Sequence, residues 1–110
     1  MNVITTKASD WTDTDSQVNS VSTATRAAPS EGLKHYITHV AGGYSSTVSG
    51  ATLILKEGTT EKMRWRVFDS LAISFDSPIQ LSPGTVANLV LEASGGAGNS
   101  GDVSMSGYTL

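Results

Sequence analysis

The feature that most constrains the fold of this chain is a series of short alternating apolar segments, each ended by Pro or Gly. In the last third, Ser77-Pro78, Ser82-Pro83-Gly84 and the glycine-rich residues 94–101 separate an alternating segment at 85–93 from a final one that reaches Leu110. Turns at this spacing are typical of an antiparallel sandwich or barrel. No segment keeps a helical period over the ten or so residues of a helix, so the sequence predicts an all-β fold.

The upstream residues continue the pattern and give roughly eight strands in all. The loop Glu57-Gly58-Thr59-Thr60 is typical of a hairpin, with Gly58 in the left-handed conformation. Gly42-Gly43 and Asp76-Ser77-Pro78 are expected to break strands. We therefore predict an antiparallel β-sandwich or jelly roll. Its expected core is Ile37, Leu53, Leu55, Trp65, Val67, Leu71, Ile73, Phe75, Leu89, Leu91, Val103 and Met105.

The N-terminal part differs from the rest. We divide the chain into residues 1–31, an extended arm plus one strand at 18–24, and residues 32–110, the sandwich domain. Val3 and Ile4 are the apolar residues of a short strand at the start, and residues 7–17 are polar without a period. Residues 1–17 hold too little apolar surface to fold alone, so we expect them to be mobile in the free protein.

The composition excludes several classes of function. The chain has 110 residues and no cysteine, which rules out disulfides, thiolate metal sites and a Cys nucleophile and fits synthesis in a reducing cytoplasm. A net charge of −3 argues against a nucleic-acid partner. No apolar run approaches the roughly 20 residues of a membrane span, and no signal peptide is recognisable. We expect no nucleic-acid and no membrane partner.

Two glycine-rich motifs resemble catalytic or nucleotide-binding signatures without their context. Gly96-Ala97-Gly98-Asn99-Ser100-Gly101 matches G-x-G-x-x-G, but too little chain follows it for a βαβ unit. The overlapping Gly98-Asn99-Ser100-Gly101-Asp102 resembles a serine-protease nucleophile, yet both histidines lie in one strand and the chain is too short for two barrels. We predict no enzymatic activity and no cofactor.

The titratable residues do not predict a metal site. His35 and His39, four apart on a strand, would share a face about 13 Å apart, and each is expected to be a partly exposed sheet residue. Asp10, Asp13 and Asp15 are the best metal candidates, but they lack the Gly and Glu of a calcium loop. A solvated polar loop is the favoured interpretation, so no metal ligand is predicted.

Two further features are candidates for contact with another molecule. The ridge Lys62, Arg64 and Arg66 could meet phosphate or an acidic partner, although the wet face of an amphipathic strand is its ordinary interpretation. Trp11 stands in a polar segment, where it could be an interface anchor or could pack back on the sandwich.

Three parts of the chain resemble a known class of viral protein. These are Gly32-Leu33-Lys34-His35-Tyr36-Ile37-Thr38, Ile54-Leu55-Lys56-Glu57-Gly58-Thr59-Thr60, and Ser82-Pro83-Gly84-Thr85 with Gly101-Asp102-Val103-Ser104-Met105-Ser106-Gly107-Tyr108-Thr109. Over about residues 24–110 the chain resembles small tailed-bacteriophage virion proteins of the head decoration (cement) or fibre-head type. The likeness extends to length, lack of cysteine and a closing Gly-Tyr strand.

The resemblance implies a sandwich or jelly roll, often trimeric, that binds the capsid exterior and carries no catalytic residues. On this basis we expect a structural protein of the virion, made in the host cytoplasm, with the major capsid protein and itself, as a homotrimer, for partners. The candidate capsid- or subunit-interface residues are Val3, Ile4, Trp11, Arg64 and Arg66. The arm would add Val3 and Ile4 to a strand edge and seat Trp11 in a pocket.

The alternative is a receptor- or carbohydrate-binding head domain of a phage fibre. Sugar sites display exposed aromatic rings over a shallow surface. The aromatic residues available for such a site are Trp11, Tyr36, Tyr44 and Tyr108.

Overall fold

The computed structural model describes residues 10–110, and this part of the chain is all-β, as predicted. Val3 and Ile4 lie outside the described residues, and so does the predicted arm up to residue 9. The eight strands are β1 Trp11–Val18, β2 Ser22–Arg26, β3 His35–Tyr44, β4 Ala51–Glu57, β5 Thr60–Val67, β6 Ser70–Gln80, β7 Ala87–Leu91 and β8 Ser100–Thr109.

The strands form two antiparallel sheets of four. Sheet I has the order β1-β8-β3-β6, and sheet II has the order β2-β7-β4-β5. Successive strands change sheet at every connection except the β4–β5 hairpin, where Gly58 takes the expected left-handed conformation (φ +61°). This strand order is that of a jelly roll built from two interlocked Greek keys.

The core lies between the sheets and contains most of the predicted residues. Fully buried are Ile37, Leu53, Leu55, Val67, Leu89, Leu91, Val103 and Met105. The other four predicted residues, Trp65, Leu71, Ile73 and Phe75, pack on this core but stay partly exposed. The core also contains six residues that were not predicted from the sequence: Ala24, Val40, Tyr44, Ala51, Leu81 and Ala87.

The prediction that residues 7–17 form a polar part of the arm without a period is wrong for residues 11–17, which together with the next residue form the strand Trp11–Val18. This segment is β1, and it pairs with β8 from Trp11 opposite Gly107 to Val18 opposite Ser100. The alternation was missed because its inward residues include the carboxylates Asp13 and Asp15. The strand predicted at 18–24 is also corrected, because the chain turns at Asn19 (φ +47°) before β2 begins.

At two of the positions where the sequence predicts a strand break, the structure has a continuous strand. Gly42-Gly43 lies inside β3, where a Cβ on Gly42 would come 3.1 Å from a Leu53 methyl group, so its glycine serves close packing between the sheets. Pro78 lies inside β6, the edge strand of sheet I. An edge strand tolerates the missing N–H of proline because one side of its backbone has no strand partner.

We predict that Leu89→Ala or Leu91→Ala lowers the free energy of unfolding by about 2–5 kcal/mol, because each side chain is fully buried and truncation leaves a cavity. Urea denaturation measures the loss. Leu110→Ala, at an exposed position, is the matched control. Losses below about 0.5 kcal/mol at both core positions would contradict this register of β7.

Candidate functional site

Trp11 packs back on the sandwich, which is one of the two alternatives that the sequence left open. Its indole Nε1 donates a hydrogen bond to Thr109 Oγ1 (3.0 Å), and its ring meets the His35 ring edge-on at 5.4 Å. The Arg26 guanidinium lies 4.8 Å from the centre of the indole ring, a cation–π contact. The indole is therefore engaged within its own chain.

His35 is buried, which corrects the expectation of a partly exposed residue. Its Nε2 lies 2.7 Å from the carbonyl oxygen of Ala27, which can only accept, so Nε2 carries a proton. Its Nδ1 lies 2.7 Å from Thr109 Oγ1, which already accepts from Trp11. With Thr109 donating to Nδ1, each polar group in the chain Trp11–Thr109–His35–Ala27 has a hydrogen-bond partner.

The prediction that His35 and His39 share a face of the strand is wrong. The pairing of β3 shifts between Ile37 and His39, so a β-bulge at Thr38 reverses the alternation. His39 therefore lies on the outer surface of sheet I, with its Nδ1 3.1 Å from Ser74 Oγ. The bulge removes any role for the two histidines as a pair.

Polar contacts close the β1–β2 side of the sandwich. Asp13 accepts a hydrogen bond from Arg26 Nε at 2.8 Å, and Asp15 accepts one from the Thr23 backbone N–H at 2.9 Å. These carboxylates are strand residues, which corrects the interpretation of a solvated loop. In residues 10–110 no three His, Asp or Glu side chains form a group that could hold a metal ion.

The opposite side, between the edge strands β5 and β6, is less well closed. Apart from the buried Val67, the inward side chains of both strands remain partly exposed, and Trp65 meets Phe75 only at 6.1 Å between ring centres. Met63 pairs with the buried Leu55 yet is 38% exposed, and Phe68 in the connection is 54% exposed. We call this surface the β5–β6 seam. It consists of Met63, Trp65, Phe68, Leu71, Ile73 and Phe75.

The outer surface of sheet II combines apolar and basic side chains. Ile54 and Val90 lie opposite each other at its centre, each half-buried. Arg64 continues this row on the edge strand β5, and Arg66 lies one row further along it. Arg64 is paired with Glu61 at 2.7 Å in the same strand. We call this surface the sheet II face. Strand alternation could have identified its apolar centre, because both residues fall on the outward side.

The outer surface of sheet I carries a shallow depression of about 520 Å³ floored by small residues. Thr14, Ser104, Ala41 and Ala72 lie in one row across its four strands. Further along the same surface, Tyr36 and Tyr108 stack with ring centres 5.1 Å apart and planes 12° apart. The sequence could not show this stacking, because it depends on the pairing of β3 with β8.

The structure thus separates the predicted interface residues. Trp11 belongs to the packed cluster at one side of the sandwich, and Arg64 and Arg66 lie on the opposite edge strand. The predicted arm residues Val3 and Ile4 lie outside the described part. No helix in the described part has the length and apolar character needed to cross a membrane.

No protein-family model matches the chain, and no curated protein matches it. Among solved structures it is similar to the cyanophage Pam1 capsid asymmetric unit (TM-score 0.49, 10% identity, 98% of this chain and 90% of that one). It is similar to PRD1 vertex protein P5 (0.47, 10%, 92% and 97%). It is also similar to the CBM36-1 domain of a multidomain xylanase from the hindgut metagenome of Trinervitermes trinervoides (0.45, 11%, 86% and 74%). Likenesses at this level carry no conclusion about function.

We predict that Thr109→Val destabilises the fold by about 1–3 kcal/mol, because it leaves Trp11 Nε1 without its acceptor and His35 Nδ1 without its donor. Urea denaturation followed by tryptophan fluorescence measures the effect. Thr12→Val is the matched control, because its hydrogen bond to Ser106 is exposed. Equal stability of the two variants would contradict the hydrogen-bond chain.

Stability should also depend on Asp15 at acid pH. Hydrogen bonds from the Thr23 backbone N–H and from Gln17 hold the pKa of Asp15 below its ordinary value of 3.8. A lowered carboxyl pKa stabilises the fold above the unfolded-state value, and this contribution is lost as the pH falls through the folded-state value. We expect Asp15→Asn to lose less stability than the wild type between about pH 5 and pH 2 in urea titrations. Parallel losses would contradict this assignment.

Proposed function

We propose that this protein is a structural component of a tailed-phage virion, a decoration or cement protein that binds the outside of the capsid as a homotrimer. Its partners would be the major capsid protein and further copies of itself, and it would catalyse no reaction. The sequence resemblance over about residues 24–110 and the jelly-roll strand order support this proposal. Synthesis in the host cytoplasm fits the absence of cysteine.

The observation that carries the proposal is the sheet II face. An apolar centre with arginines at its rim is similar in composition to a protein–protein interface, whose buried core is apolar and which is enriched in Arg. Ile54 and Val90 would supply the centre, with Arg64 and Arg66 at the rim. We therefore assign capsid attachment to this face. Trp11 is already engaged with Thr109, His35 and Arg26 and is not available as the anchor.

Binding of this kind would act by linkage. A protein that binds adjacent capsid subunits only when they are assembled stabilises the assembled state in proportion to its occupancy. Attachment of one oligomer at several symmetric positions raises the effective concentration of each contact, so modest individual contacts suffice. A rigid two-sheet scaffold suits this role because little conformational freedom is lost on binding.

We expect Ile54→Asp to reduce co-sedimentation with undecorated capsids by about tenfold or more, because it puts a charge at the centre of the sheet II face. Arg66→Ala should weaken binding less, since it lies at the rim. Thr12→Asp, on the outer surface of sheet I, is the matched control and should bind as the wild type does. Thermal melting checks that each variant is folded. If Ile54→Asp binds normally, attachment does not use this face.

Carbohydrate binding is the second candidate, and the stacked Tyr36–Tyr108 pair on the outer surface of sheet I favours it. Ring faces and hydroxyl groups around a shallow surface suit sugar rings. A glycan array would identify such a ligand, and Tyr108→Ala should then reduce its binding. Retained capsid binding by Tyr108→Ala would assign the two activities to different faces.

A further inference from the structure

The β5–β6 seam is apolar surface that residues 10–110 leave partly uncovered, although Met63, Trp65, Leu71, Ile73 and Phe75 occupy inward positions of the two edge strands. Leu53 and Leu55, inward residues of the neighbouring β4, are fully buried, whereas Met63 opposite Leu55 is 38% exposed. Phe68 is more exposed still, at 54%. In a sandwich, inward positions of edge strands are normally covered by the facing sheet. Within residues 10–110 these side chains are not fully buried, so their remaining surface is open to a second molecule.

The two rims of the seam carry charges of opposite sign. β5 carries Lys62, Arg64 and Arg66 with one carboxylate, Glu61, which pairs with Arg64. On the other side, Asp69 in the connection and Asp76 on β6 are both acidic and exposed. Because each copy of this chain carries both rims, the β5 rim of one copy is complementary in charge to the β6 rim of the next. The β6 edge from Ser70 to Phe75 has no charged side chain that would repel an approaching strand.

The positions of the charges along the strands agree with such a contact. Only Phe68 and Asp69 join β5 to β6, so β5 ends and β6 begins at the same end of the molecule. Arg66 and Asp69 both lie near this end, while Lys62 and Asp76 both lie well away from it. A rotation about an axis parallel to the strands preserves these levels, and it brings opposite charges to the same level on adjacent copies. Arg64 is paired with Glu61 in its own strand.

We propose that the β5–β6 seam is the contact between copies of this chain. The β5 rim of one copy meets the β6 rim of the next, and the apolar side chains of the seam face the symmetry axis. Such a contact is heterologous, so it closes into a ring when the rotation allows it. This inference rests on the self-association in the proposed function and names the surface that performs it.

Light scattering of the full chain over a range of concentrations tests the proposal. We expect a mass of more than one chain, and we expect Met63→Asp to raise the dissociation constant by about tenfold or more. Val21→Asp is the matched control, since Val21 is also an exposed apolar residue (52%, against 38% for Met63) and precedes β2, on the opposite side of the sandwich. A monomer at every concentration, or association weakened by Val21→Asp and not by Met63→Asp, would overturn the proposal.

Exchange of charges supplies a second test that does not depend on the apolar substitution. Lys62→Glu and Asp76→Lys should each weaken association, because each places like charges at one level of the contact, and the double variant should restore it. Both positions are exposed, so the variants should remain folded, as thermal melting can verify. Additive losses in the double variant would contradict the pairing of the two rims.

Failure of the seam contact can be distinguished from failure of capsid attachment, because the two are measured by different experiments. Capsid co-sedimentation of the Met63→Asp monomer measures attachment through the sheet II face alone, with avidity removed. An oligomer that responds to the seam variants but never binds capsids would contradict the decoration role and support the seam. Capsid binding by a protein that is monomeric under all conditions would contradict the seam contact and support the decoration role.

Discussion

The structure depends on how closely the two sheets approach each other near the middle of the sandwich. Gly42 on β3 and Gly101 on β8 leave space that the Leu53 and Leu91 side chains fill, and a Cβ at either glycine would come 3.1 Å from a leucine methyl group. Close contact between backbone and side chain gives the packing density of a protein interior. The strand order of the jelly roll brings these four residues together from distant parts of the sequence.

From this centre the two sides of the sandwich differ in chemistry. One side is closed by carboxylates of β1 that bind a guanidinium and a backbone N–H of β2, and by an indole that covers a buried imidazole. The other side ends in apolar side chains with partial cover. Polar closure requires partners with fixed geometry and suits a single chain. An uncovered apolar margin can gain stability from burial against a second surface, at roughly 25 cal/mol for each Å² removed from water.

Strand periodicity and turn residues were sufficient to predict the fold class, the hairpin at Gly58 and most of the core. They were not sufficient where inward positions carry polar side chains, as at Asp13 and Asp15, because alternation was judged by apolarity. They also failed where one extra residue changes the facing of a strand, as at Thr38. The Tyr36–Tyr108 stack and the Trp11–Thr109 hydrogen bond depend on strand pairing across more than half the chain, which local pattern does not determine.

The pairing of β1 with β8 has a consequence for how the protein is made. Residues 11–18 emerge from the ribosome early, yet their partner strand at 100–109 emerges among the last of the described residues. Sheet I therefore stays incomplete during synthesis, with Trp11 lacking Thr109 and β3 lacking its neighbour β8. Contacts between such distant segments fold slowly because a long loop must close first. During that interval the free edges of β1 and β3 can pair with those of nascent chains on neighbouring ribosomes, so misassembly is favoured until β8 has been made.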